Sequence, residues 1–221
     1  MTRDRKSLVV TLLRQHGRSF ADELGFDLAK NSPSALFRLL CFALLASARI
    51  SHEIAVGAAR ALSRERWNTA QKMAQATWRH RTDVLNRAGY ARYDESTSRM
   101  LGETTRHLLD AYRGDLRRLR EAANQDAPAE RELLKAFKGI GDVGVDIFFR
   151  EVQLVWEEVY PHADRGVLKA ASKLGLGDDA KDLVRLVDNR GDFVRLTAAL
   201  VRVELTNGYG ELTSRDRATG A

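Results

Sequence analysis

The stretch that decides the fold reads LLKAFKGIGDVGVDIFF, from Leu133 to Phe149. It contains Gly139-Ile140-Gly141-Asp142-Val143-Gly144, the G-x-G-x-x-G spacing of dinucleotide-binding turns. Asp164 follows twenty residues after Gly144, about where that fingerprint expects an acid. A dinucleotide site needs a buried strand ahead of its first glycine. Here the place is held by Glu130-Arg131-Glu132-Leu133-Leu134-Lys135-Ala136-Phe137, in which Leu133, Leu134 and Phe137 mark one helical face and charged residues the other. The unit therefore reads helix, Gly-hydrophobe-Gly, helix. Gly139 and Gly141 leave room for a tight turn and for close approach of a ligand, and Ile140 anchors the turn in the core. The second helix opens near Asp142 with free N–H groups facing outward, a geometry that binds phosphate without a charged side chain. A plain αα-turn with glycine after a helix end has the same local sequence.

Helical spacing recurs on both sides of this hairpin. SLVVTLLRQHG (7–17) is followed by NSPS, an N-terminal signal, and by the nearly all-apolar LFRLLCFALLASAR (36–49), which reads as a central buried helix. SHEIAVGAARAL opens on Ser51 as N-cap, without a full capping box because Ile54 stands where Glu or Gln is wanted. ERWNTAQKMAQATW (65–78) reads as helix, GYARYDESTS as a polar link, and RMLGETTRHLLDAY (99–112) as helix up to the break at Gly114. DLRRLREAA, AERELLKAF, DVGVDIFFREVQLVWEEVY (142–160, ended by Pro161), DRGVLKAASKL, DDAKDLVRLV and FVRLTAALVRVEL complete the series. No segment alternates with period two and no internal repeat occurs, so the fold class is all-α, with about ten helices joined by short loops.

The 221 residues suffice for a sizeable core, and 44% hydrophobic residues with three prolines argue against disorder. The apolar segment Leu39–Ala48 is too short to span a bilayer and is bracketed by Arg38 and Arg49, and the N-terminal sequence has no apolar run of signal-peptide length. A cytoplasmic protein without a membrane partner is expected. Cys41 is the only cysteine and sits among apolar residues, which leaves no disulfide, no cysteine-ligated zinc or iron-sulfur cluster, and the role of a small buried hydrophobe. The five histidines show no metal-ligand spacing, so no side-chain metal site is expected. The charge is uneven. Between Arg64 and Arg120 there are 13 Lys and Arg against 7 Asp and Glu, leaving 23 of each sign elsewhere from totals of 36 and 30. A localised surplus suits a polyanion, whose counterions are released on binding; a solvated helical face accounts for the same count.

Three separated motifs carry a resemblance. AFKGIGDVGVDIFFREVQ, then YPHADRGVLKAASKLGL, and earlier SPSALFRLLCFALLASARISHEIAVGAARAL together resemble the helix-hairpin-helix DNA glycosylases of the endonuclease III superfamily, in consistent order over roughly Ser32 to Gly177. The resemblance implies a two-lobed helical bundle with the helix-hairpin-helix bordering a central cleft. Residues 32–160 would form the lobe carrying the motif (about 130–159), residues 1–31 with 161–206 a second lobe closing the cleft, and residues 207–221 a flexible tail. It implies that Gly139, Ile140, Gly141, Val143 and Gly144 clamp a DNA phosphate and that Asp164 is the catalytic aspartate. Arg49 falls where the family often has a glutamine facing the space left by the extruded base. The expected partner is double-stranded DNA, bound by a monomer associated with the nucleoid; no cofactor is implied, although the family admits a monovalent cation on the hairpin carbonyls.

Departures shape the expectation. Bifunctional members carry a lysine two residues after the second hairpin glycine; Val143 has no amine, which excludes Schiff-base lyase chemistry through this position and points to a monofunctional enzyme. The family's four-cysteine cluster is absent, and Lys138 replaces the usual proline. Asp142 puts a negative charge beside the phosphate site, which either weakens DNA binding or, if the side chain caps the helix, points away. Cleaving an N-glycosidic bond leaves positive charge on the sugar, and a carboxylate at 4 Å stabilises it by on the order of 4 kcal/mol at an effective dielectric of 20. Asp164 fits that role, with the dipole of the following helix favouring its ionised form; a plain N-cap is the competing role. Arg49 would fill the gap, and Trp78, Tyr90 and Tyr93 are candidates to stack on the extruded base, with core packing the favoured role for Trp78. Two other classes fit the same residues: a non-catalytic DNA-binding protein on this scaffold, and a helical interaction module that never touches nucleic acid.

Overall fold

The structure, a computed structural model of the chain, describes residues 3–210 and Leu212. In chain order the helices are α1 (Arg3–His16), α2 (Phe20–Glu23), α3 (Pro33–Ala46), α4 (His52–Arg64), α5 (Ala70–Ala74), α6 (Trp78–Arg87), α7 (Asp94–Tyr112), α8 (Leu116–Ala122), α9 (Ala127–Lys135), α10 (Asp142–Val152), α11 (Arg165–Lys173), α12 (Ala180–Val184) and α13 (Arg190–Thr206), with short 3-10 turns at Leu28–Lys30 and Glu157–Val159. Among the described residues there is no strand, so the chain is all-α. None of these helices is long and apolar enough to cross a membrane. The chain divides into two compact units, Leu24–Val159 and Met1–Glu23 with Tyr160–Ala221.

The central unit is built round α3. Ten of its fourteen residues are buried, from Ala35 through Leu45, and a helix apolar on every side must be covered on every side. α4, α7, α8 and α10 pack against it. Ser32 starts it by accepting a hydrogen bond from the Ala35 amide, with Pro33 in the first turn, where a missing N–H costs nothing. Near its other end the Tyr90 hydroxyl donates to the Leu45 carbonyl at 2.8 Å. Cys41 is buried in this helix and burial pushes its thiol up to about 12, the behaviour of a packed hydrophobe and not of a nucleophile.

Helix starts are set locally. Ser32, Ser51, Thr69, Thr77, Asp115, Asp126, Asp164, Asp179 and Asn189 each accept a first-turn amide at the start of their helix. Two of these caps break the segment expected to be one helix over 65–78. Arg66 takes a left-handed φ of 62° after α4, Thr69 then starts α5, and Thr77 starts α6, which the sequence reading passed over. The helix expected over 142–160 ends at Val152 instead; the chain turns so that Trp156 is buried, its ring edge-on to Phe148 and its Nε1 donating to Asn31 Oδ1 at 3.3 Å. That bond, with Arg38 donating to the Leu24 and Gly25 carbonyls, groups residues 24–31 with the central unit and not with the terminal one, where the sequence reading placed them.

In the terminal unit α13 packs against α1 and α11. Arg195 and Arg202 of α13 satisfy carbonyls at the end of α1, including Gly17 at 2.9 Å and His16 at 2.8 Å. The expected flexible tail, 207–221, lies partly outside the described residues. Its described portion packs: Tyr209 donates to Glu204 and lies under the Lys173 ammonium, and Leu212 is buried.

One buried ionisable group sits on the first helix of the hairpin. Glu130 of α9 is fully buried, and neither of its carboxyl oxygens meets a donor. Beside it Glu158 already holds the Arg120 guanidinium through bonds of 2.5 and 2.7 Å. Burial first, then the adjacent Glu158, push Glu130 up to about 9, so at neutral pH it is a neutral acid. Burial opposes the charge on Glu158, but the Arg120 fork overcomes it and holds that carboxyl down at about 2. The unfolded chain loses the Glu130 proton near 4.5 and the folded chain keeps it to about 9, so unfolding gains between those values as pH rises. We expect wild-type stability to fall across that window by up to about 1.4 kcal/mol per pH unit. Glu130→Gln, which cannot ionise, should flatten the profile and be the more stable protein at pH 8, as read by urea unfolding at a series of pH values.

Candidate functional site

The turn between α9 and α10 is pinned from inside. The Ile140 side chain is buried, its amide donates to the Phe137 carbonyl at 3.0 Å, and Thr104 of α7 donates through Oγ1 to the Lys138 carbonyl at 2.8 Å. The three glycines differ: one has a backbone reason, one a packing reason, and one neither. Gly139 has φ +87°, and a Cβ there would lie 2.7 Å from Met100 Sδ. Gly144 has ordinary helical surroundings, but a Cβ would lie 2.9 Å from Ser47 Oγ and 3.3 Å from Ile140 Cγ2, so its bareness lets α10 close on the end of α3. Gly141 has neither constraint. Its φ is −105°, which any residue adopts, and a Cβ would meet nothing within 4 Å. Gly141 is exposed, so nothing inside the protein asks for glycine there.

Gly141 is also the N-cap of α10 and offers no side-chain acceptor. The first amide with a helical partner is Val145, which donates to the Gly141 carbonyl at 3.0 Å. The Asp142 and Val143 amides precede it on an exposed surface. Asp142 does not cap the helix. Its carboxylate reaches back to α9, 3.3 Å from Lys135 Nζ and 3.7 Å from Arg131 Nη1, so its charge is met by cations of the preceding helix. Glu132 and Asp142 together raise the Lys135 ammonium above its ordinary value. Val143 is 61% exposed, an apolar side chain standing free in the first turn.

Of the other predicted residues, Arg49 is exposed in the turn after α3, two positions beyond Ser47, the residue against which Gly144 packs. Ser47, Met100 and Thr104 are the supporting residues that sequence reading did not find; Ser47 stands in the LLASA run, while Met100 and Thr104 carry no local signal. Tyr90 is buried in the core and unable to stack on a base, whereas Trp78, read as a core residue, is 42% exposed. Part of the basic surplus is structural: Arg81 is buried and donates to the Ser98 and Ala76 carbonyls, Arg117 is bound to Asp115, and Arg120 to Glu158.

Asp164 belongs to the terminal unit. It is the N-cap of α11: Oδ1 accepts from the Gly166 amide at 2.8 Å and the Val167 amide at 3.3 Å, and the residue is 9% exposed. The amides fix the carboxylate in one orientation, and its small exposure limits what can reach it. No protein-family model, no curated protein and no solved structure matches the chain.

The glycines yield a stability pattern. Gly139→Ala should cost about 1–3 kcal/mol for a side chain at positive φ. Gly144→Ala should lose net stability, because over-packing of about 1–3 kcal/mol outweighs a helix-propensity gain of about 1 kcal/mol. Gly141→Ser supplies the missing cap and should match or exceed wild type by a few tenths of a kcal/mol. Chemical denaturation of the three variants checks the order.

Proposed function

We propose that the chain is a monofunctional DNA glycosylase of the helix-hairpin-helix kind, which cleaves the N-glycosidic bond of a damaged or mispaired base. The observation that carries the reading is Gly141: an exposed glycine without a folding reason, at the uncapped start of α10, where the bare backbone and free amides suit a phosphate oxygen. The hairpin would hold the strand by main-chain N–H groups. Arg49, carried to the same end of α3, would occupy the space left by the extruded nucleotide. The Asp164 carboxylate would stabilise the positive charge that develops on the sugar as the C1′–N bond breaks, while water adds at C1′ and the base leaves with a proton. With valine at 143 no amine is present at the family's Schiff-base position, so the product is an intact abasic strand.

A second reading, a non-catalytic DNA-binding protein on this scaffold, is favoured by the N-cap role and near burial of Asp164. Asp164→Asn separates the two, because asparagine caps a helix as well as aspartate and leaves the fold intact. For the enzyme, base release from duplexes carrying uracil, alkylated purines, oxidised bases and mismatches should be lost while DNA binding persists. Unchanged release would remove Asp164 from catalysis, and absence of release by the wild type across the panel would leave the binding protein. Gly141→Ser should lose duplex binding in a gel-shift titration while remaining folded.

The exposed position of Val143 allows a complementary gain-of-function test. Val143→Lys should form a borohydride-trapped covalent complex with DNA from which a base has been released, and the wild type should form none.

A further inference from the structure

We infer that Trp78 is a stacking platform for an unpaired nucleobase, at the far side of α7 from the hairpin. The inference rests on the DNA-binding reading of the hairpin and adds a second contact to it. Trp67 and Trp156 are buried; Trp78 alone of the three tryptophans is exposed. Its ring is not loose, because Nε1 donates to the Glu95 carbonyl at 3.2 Å. Its own carbonyl accepts from Ser98 Oγ at 2.8 Å and from Thr82 Oγ1 at 2.9 Å, which fixes the start of α6 against the first turns of α7. An exposed aromatic held by its N–H has already lost the rotamer freedom that a stacked base would otherwise take from it.

α7 relates this ring to the turn. At 100° per residue, Glu95 and Ser98 face one flank of α7, and Met100 and Thr104, which meet Gly139 and Lys138, face the other. Between the flanks runs an exposed strip bearing Arg99 and Arg106. A helix with its side chains is about 10 Å across, so the ring and the turn lie roughly one helix width apart, within reach of one extended strand. Glu103 and Asp110 share the strip with those arginines and offset their charge. A run of phosphates is therefore poorly served there, and what distinguishes the surface is the indole face.

Bases in an intact duplex are stacked on each other and offer no free face, so the partner is a nucleotide without its complement, in a single strand, a gap or a bulge. Because Trp67 and Trp156 are shielded from contact with a ligand, the part of the tryptophan emission that changes on nucleotide stacking reports on Trp78. Titration of the full chain with a single-stranded oligonucleotide and with a gapped duplex should quench the emission, and an intact duplex should bind without quenching. By anisotropy of labelled DNA, Trp78→Ala should weaken single-strand binding about tenfold and leave duplex affinity unchanged, while Trp78→Phe, which keeps a ring, should retain most of it. Single-strand affinity unchanged in Trp78→Ala would overturn the inference; if Gly141→Ser has meanwhile lost duplex binding, the hairpin reading stands alone. Weakening by Trp78→Ala with full duplex binding by Gly141→Ser would overturn the hairpin reading and keep the platform, and no binding to either DNA would overturn both.

Discussion

The closure of α10 on the end of α3 is the contact from which the rest of the central unit follows. α3 is apolar all round and must be covered, and α10 reaches it only because Gly144 presents no side chain to Ser47. With that approach fixed, Ile140 is drawn into the core and the turn has an inside and an outside. Gly139 is fixed by its backbone and by Met100, and Gly141 is left exposed at the open start of α10. The candidate site is thus the outer face of a packing solution.

Much of this was legible in the sequence, and the parts that were not have identifiable causes. The helix before Gly139 declared itself through Leu133, Leu134 and Phe137, and Ser51 stood as a cap where the structure has one, accepting the Ile54 amide. α6 was passed over because the inward position between Trp78 and Leu85 is held by Arg81, a charged residue that finds its partners among main-chain carbonyls of neighbouring segments. Thr69 and Thr77 are N-cap residues by type, but helical spacing runs on through both and hides the two boundaries. Trp78, for which core packing is the favoured role, is partly exposed, and Tyr90, whose place the sequence leaves open, is buried with its hydroxyl on an acceptor, the Leu45 carbonyl, that only the folded chain provides. The glycines of G-x-G-x-x-G are identical letters, and only coordinates separate a backbone reason, a packing reason and a position that has neither.

Net charge proved a coarser guide than pairing. The segment richest in arginine spends Arg81, Arg117 and Arg120 on holding the fold together, and the remainder shares its surface with carboxylates. Conversely Asp142, which from sequence opposes an anion at the hairpin, is directed onto Lys135 and Arg131 of the preceding helix. What the turn offers a ligand is therefore dominated by oriented peptide dipoles, whose direction is set by geometry and does not change with ionisation.

The discontinuity of the terminal unit bears on how the chain is made. Its first helix, with Val9 and Leu12 buried, packs on α13, which leaves the ribosome well over a hundred residues later. At translation rates of about 5–20 residues per second, α1 waits on the order of ten seconds or more for its partner, while the continuous stretch from Leu24 to Val159 emerges complete in between. During that interval α1 lacks the surface that covers its apolar face, so the terminal unit, not the larger central one, is the part of the fold completed last.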